Sequence, residues 1–149
     1  MRIKEVGFTL IELIVVIAII AILAAVVAPN AFKAVEKAKI SGALSDFNSI
    51  KTAAMAFYSD IGVWPASCST PTECAQVGFI NQNASLTGWD GPYLEKWPQA
   101  SKWNGIVAYI NNANTSFFGS PGAGERYVNM TNVPFTAAQK IDIQIDGTF

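Results

Sequence analysis

The residues able to do chemistry in this sequence are few, and one type is missing altogether. The chain has no histidine, which removes the commonest general base and the commonest metal ligand. It has no Gly-x-Ser-x-Gly elbow and no phosphate-binding loop, so hydrolase and nucleotide-dependent chemistries lack their usual parts. Cys68 and Cys74 have five residues between them. In an oxidising compartment that spacing reads as a short-loop disulfide; in a reducing one it reads as two free thiols. No other Cys or His exists to complete a zinc site around them. Asp142 and Asp146 form an acidic pair in the C-terminal stretch. They are weak candidates for calcium, which wants about six or more oxygens. The same spacing equally suits a solvated helix face, or a cap and turn ahead of Gly147. No cofactor is otherwise implied.

Glu12 is the most unusual of these groups, because of what surrounds it. From Leu13 to Ala28 no residue is polar. Counted from Phe8, the apolar span has about the twenty residues that a membrane helix needs. Arg2 and Lys4 precede it, which keeps the short N-terminal segment cytoplasmic and sends the rest across. A carboxylate deep in such a span costs roughly 2.5–3.5 kcal/mol, and less near the interface. The span supplies no cation to offset it. A cut after Gly7 would supply one, since Phe8 would then carry a new α-amino group at the membrane face. The amine of one subunit and Glu12 of its neighbour would neutralise each other in an apolar bundle.

Gly7-Phe8-Thr9-Leu10-Ile11-Glu12 followed by an apolar run resembles the class III signal of type IV pilins and type II secretion pseudopilins. The resemblance implies cleavage between Gly7 and Phe8 by a prepilin peptidase, N-methylation of Phe8, and an assembly role for Glu12. Pro29, closing the apolar run, matches the family's proline there and implies a helix kink that unwinds locally in a filament. An ordinary secretory signal, cleaved among Ala24–Ala28, would put Pro29 just after the cut and would leave Glu12 interrupting its apolar region. A plain anchor would leave Glu12 without a purpose.

Beyond Pro29 the helical pattern continues as an amphipathic stretch. Ile40, Leu44, Phe47, Ile50, Ala54, Phe57 and Ile61 recur at steps of three and four, which is one apolar stripe. Lys33, Glu36, Lys37, Lys39, Asp46 and Lys51 mostly lie off it. Gly42 is a tolerated kink, and Gly62 with Pro65 supplies the stop. A helix from Phe8 to Ile61 would extend on the order of 80 Å. From Gly62 the composition turns to Gly, Pro, Asn, Ser and Thr. There the pattern predicts a short helix at Glu73–Val77, strands at Ile106–Ile110 and Glu125–Met130 joined by a long loop from Asn111 to Gly124, a helix at Thr136–Asp142 capped by Thr136, and a last strand at Ile143–Ile145.

The expected architecture is α+β: a long helix, apolar then amphipathic, packed on a small antiparallel sheet of two or three strands. Its parts are a leader, residues 1–7; an apolar half-helix, 8–28; an amphipathic half-helix, 29–61; and a C-terminal domain, 62–149. At 149 residues the chain fits one such domain. With 51% hydrophobic and 14% charged residues and a net charge of −1, no basic surface for nucleic acid is expected.

Trp89-Asp90-Gly91-Pro92-Tyr93-Leu94 resembles the Gly-Pro-Tyr-Leu segment of major pseudopilins. Pro98–Gly105 departs from the pattern that follows it there, which puts a calcium loop in doubt. Asn83, Asn114 and Asn129 fit the glycosylation pattern, which arises readily by chance in Asn-rich chains. The aromatics Phe32, Phe47, Phe57 and Tyr58 read as packing residues rather than an electron path.

The expected function is structural: a non-enzymatic pilin of a type IV pilus-like filament. Before assembly it would sit in the bacterial inner membrane, and afterwards in an extracellular or periplasmic filament. Its expected partners are copies of itself, the membrane, the prepilin peptidase, the assembly platform and minor pilins or pseudopilins. The alternatives are a type II secretion pseudopilin and, more distantly, an anchored binding module.

Overall fold

The computed structural model describes residues 7–83, 85–112 and 124–147, with Asp146 described by its backbone alone. The first six leader residues, most of the expected loop between the strands and Asn114 lie outside the described residues. The elements are helix α1 (Leu10–Ile61), helix α2 (Pro71–Cys74) running into a π-helical turn (Ala75–Phe79), strands β1 (Val107–Asn112) and β2 (Glu125–Met130), and helix α3 (Phe135–Asp146). The fold is the pilin-like α+β type. Contacts divide the chain into two units, Met1–Ala38 and Lys39–Phe149, and α1 contributes residues to both.

Within the second unit α1 buries Ile40, Ala43, Ile50, Ala53, Ala54 and Phe57. Leu44, Phe47 and Ile61 are half-buried, so the buried face is set by alanines as much as by large side chains. Small residues let the loop segments approach the helix axis closely. Phe57, 1% exposed, gains about 1.5–3 kcal/mol from burial. It meets the edge of Tyr93 at 5.5 Å and Phe79 at 6.3 Å. Gly78 in the π-helical turn has φ 108°, and a Cβ there would lie 2.6 Å from the Phe57 ring. Glycine is required on both counts.

Gly42 does not kink the helix, which is unbroken there. Its missing side chain leaves room for the Lys102 stem, which lies across it to pair with Asp46 at 2.7 Å.

β1 and β2 pair antiparallel, from Val107 opposite Met130 to Asn112 opposite Glu125. Val107 and Tyr109 enter the core, and Val128 and Met130 pack against it. The free edge of β1 is sealed. Cys68 exchanges two backbone bonds of 2.9 Å with Tyr109, Asn111 N–H donates to Ser67 Oγ at 2.9 Å, and Trp97 Nε1 donates to the Val107 carbonyl at 3.0 Å. Such closure protects an edge from stray pairing. It also makes β1 start one residue later and end two residues later than Ile106–Ile110, because Thr131 Oγ1 accepts from the Ile106 N–H while Ser67 holds Asn111 in line. Burial pushes the Tyr109 phenol up to about 12.

Two further expectations fail for local reasons. The helix expected at Glu73–Val77 begins earlier, at Pro71, because Thr70 caps it and Glu73 reaches back to the cap in a reciprocal box. The C-terminal helix and strand are one helix, α3. Thr136 does not cap it; Pro134 occupies the cap position without a side-chain bond, and Gly147 at φ 73° ends it. Ile143 and Ile145 alternate like a strand. However, Ala138, Ile141 and Ile145 share a helical face, and that face lines an open groove of about 490 Å³ with Ala43 and Phe47.

Cys68 and Cys74 form a disulfide with Cα atoms 5.1 Å apart, inside the core cluster. Replacing both by alanine is expected to destabilise the fold by about 2–3 kcal/mol from lost loop closure alone. Urea unfolding of the oxidised protein and the double variant reads this directly.

Beside the disulfide, Glu73 Oε2 accepts from Ser69 N–H and Oγ at 3.0 Å and from Thr70 N–H at 3.2 Å. The Ser69 backbone and hydroxyl bonds, chiefly, hold its carboxyl below the usual 4.5. A depressed folded value stabilises the fold above the unfolded value, and that stabilisation is lost as pH falls through the folded one. We therefore expect Glu73→Gln to lose stability near neutrality and to show a shallower acid decline below about pH 4.5, measured as urea midpoints across the acid range.

Candidate functional site

Within the first unit the apolar run of α1 has its surface open. Phe8 is 89% exposed, and residues 8–28 are exposed throughout. A helix apolar on every face needs hydrocarbon or other helices around it. α1 is long and apolar enough to cross a membrane, which supports membrane association of this segment.

Helix α1 begins at Leu10 because Thr9 caps it. Thr9 N–H donates to Glu12 Oε2 at 2.8 Å, and the Thr9 hydroxyl donates to the same oxygen at 2.6 Å. Glu12 N–H donates in return to Thr9 Oγ1 at 3.3 Å. This is a reciprocal capping box, and it places the carboxylate at the positive end of the helix. Among the described residues no cation reaches Glu12, and both bonds from Thr9 fall on Oε2. Thr9 is therefore a site residue that reasoning from the apolar run alone missed. The signal was present as Ser/Thr-x-x-Glu ahead of an apolar run, and Thr70-x-x-Glu73 repeats it.

Gly7 precedes this box outside any helix or strand and is exposed, and a Cβ added to it would meet nothing within 4 Å. Pro29 lies inside α1 without interrupting it. A proline there removes one helical bond and crowds the preceding turn. The Asn30 side chain donates to the Val26 carbonyl at 3.5 Å in that turn.

The remaining candidates stand apart from this site. Cys68 and Cys74 are joined and buried, so neither offers a thiolate for nucleophilic work. Asp142 is exposed on α3, and the Asp146 side chain lies outside the described residues. Among the described residues no three His, Cys, Asp or Glu side chains gather as a metal group. The sequence has no histidine and both cysteines are joined, so the groups most often used for general-base and thiolate work are missing.

Two protein-family models match the chain. One is described as the prokaryotic N-terminal methylation motif and covers residues 7–28. The other is described as PilW, C-terminal, and covers residues 34–120. No curated protein and no solved structure matches. Both family matches agree with the pilin and pseudopilin superfamily in general. The first falls on the segment holding Gly7, Phe8, Thr9 and Glu12; the second spans more than half of the chain, from early in the amphipathic half of α1 through β1. The chain thus belongs to the PilW, C-terminal family and carries a prepilin-type methylation motif at its N-terminal end.

Proposed function

We propose that this protein is the structural subunit of a type IV pilus-like helical filament, held in the bacterial inner membrane before assembly. Prepilin peptidase cuts between Gly7 and Phe8, and Phe8 becomes the methylated N-terminus. The observation that carries this reading is Glu12: a carboxylate in an otherwise apolar span whose only partner among the described residues is its own helix cap. The new amine at Phe8 of one copy supplies the missing cation to Glu12 of the next, so pairing favours lateral packing of the half-helices. Pro29 marks where the helix unwinds as subunits pack, with Asn30 ready to hold a freed carbonyl. The globular domains then form the filament surface, outside the cell or in the periplasm, and the assembly platform and minor subunits are the partners of the growing end.

The test is to shear surface fibres from cells and determine the first residue of this chain within them. The reading expects N-methylated Phe8 in the fibres and no fibres after gene deletion. An unprocessed chain that never leaves the membrane fraction overturns it.

A second reading, a type II secretion pseudopilin, draws on the Gly91-Pro92-Tyr93-Leu94 segment. Here the Tyr93 and Leu94 N–H groups both donate to the Phe79 carbonyl, and the Tyr93 hydroxyl donates to Asp60 at 2.9 Å. A secretion defect without long surface fibres would favour it.

A further inference from the structure

The loop from Ser101 to Gly105 is built on a chemically labile dipeptide. Asn104 has φ 63°, a left-handed conformation that Asn tolerates better than most residues. Gly105 is required next, because a Cβ there would collide with the Thr131 carbonyl. The backbone geometry therefore suits Asn at 104 and requires Gly at 105. In that pair the following amide nitrogen meets the least hindrance on its way to the Asn side chain.

We infer that Asn104–Gly105 is a latent deamidation site, kept silent by the Ser101 hydroxyl and released when the loop opens. Ser101 is 5% exposed. Its Oγ accepts from the Gly105 N–H at 2.9 Å, in a buried bond, and from the Trp103 N–H at 3.4 Å. The same hydroxyl donates to the Thr131 carbonyl at 3.0 Å. Ser101 N–H donates to the Gly105 carbonyl at 2.8 Å, and Asn104 N–H to the Ser101 carbonyl at 3.0 Å. Gly105 N–H is thus fixed in a bond and shielded from base, while the Asn104 side chain is exposed to solvent.

Once the loop opens, solvent base takes the Gly105 amide proton and the nitrogen attacks Asn104 Cγ. The new C–N bond closes a succinimide ring, the Cγ–Nδ2 bond breaks, and the departing nitrogen takes a proton from water and leaves as ammonia. Water then opens the ring at either carbonyl, giving aspartate or isoaspartate. Isoaspartate lengthens the backbone by one carbon between residues 104 and 105. The paired bonds between Ser101 and Gly105 then cannot re-form. Thr131, which anchors both Ile106 and Ser101 at the base of the sheet, loses its partners in register. The modification turns a transient opening into a permanent one.

The experiment incubates full-length protein in detergent micelles at mildly alkaline pH and follows residue 104 by fragment-level mass spectrometry. Folded wild type is expected to deamidate at least about tenfold more slowly at Asn104 than the same chain in urea. Folded Ser101→Ala should react about tenfold faster than wild type, the change in open fraction that losing one to two net hydrogen bonds brings. Ser101→Thr, which keeps the hydroxyl, should match wild type. If Ser101→Ala does not fold, the comparison of folded and urea-treated wild type decides. Equal rates in folded and urea-treated wild type overturn the inference, as does folded Ser101→Ala reacting at the wild-type rate.

Discussion

Glu12→Ala protein is expected to be cut to Phe8 normally, to accumulate in the membrane, and to give about a hundredfold less fibre. The figure follows from the roughly 2.5–3.5 kcal/mol scale of placing a charge in the apolar span, an energy that pairing recovers and that the alanine cannot. The structure adds a control, because Glu12 has two separable jobs. It closes the capping box with Thr9, and in the proposed assembly its charge answers the amine of a neighbour. Glutamine also closes a capping box but carries no charge. Glu12→Gln is therefore expected to keep the helix start and still assemble poorly. Fibre yield by shearing, with the N-terminal residue determined in parallel, reads both variants. Normal fibres from Glu12→Gln in the absence of wild type would sink the pairing mechanism and leave only the cap.

Gly7→Val is expected to act one step earlier and more completely, leaving essentially all of the chain as precursor. A Cβ at residue 7 would meet nothing within 4 Å, so the substitution does no harm within the protein itself. What it changes is access to the peptide bond before Phe8, where a branched side chain hinders the peptidase. Without the cut there is no α-amine at Phe8, and Glu12 keeps only its own cap. Gly7→Val should therefore lose fibres as well as processing, whereas Glu12→Ala loses fibres alone. Intact mass of the membrane pool distinguishes them by the presence of residues 1–7. A normally processed Gly7→Val pool would contradict the assignment of the cut.

The long helix was legible because its signals are local and redundant: an apolar run, a stripe at helical spacing, then Gly62 and Pro65. Strand β2 was legible for the same reason, as was the disulfide in outline, since six positions of separation allow little else in an oxidising setting. The C-terminal helix misled because Ile143 and Ile145 alternate like a strand, while in the helix Ile145 shares a face with Ala138 and Ile141 and Ile143 does not. Only the surface they pack beside distinguishes the two periods. Gly42 looked like a flaw and is a space for Lys102, sixty residues away in the chain.

By itself, then, the sequence determined the character of the N-terminal segment: the residues before Phe8, the acid at Glu12 and the apolar run are contiguous, and contiguous signals need no folding to be read. It determined as well that no histidine chemistry is available. The tertiary structure decided what depends on distant partners. It showed which alanines of α1 are buried, that Cys68 pairs both with Cys74 and with the edge of β1 at Tyr109, and that Ser101 locks Gly105. Such contacts arise from loop paths and side-chain volumes summed over the whole core, and no window along the chain contains them.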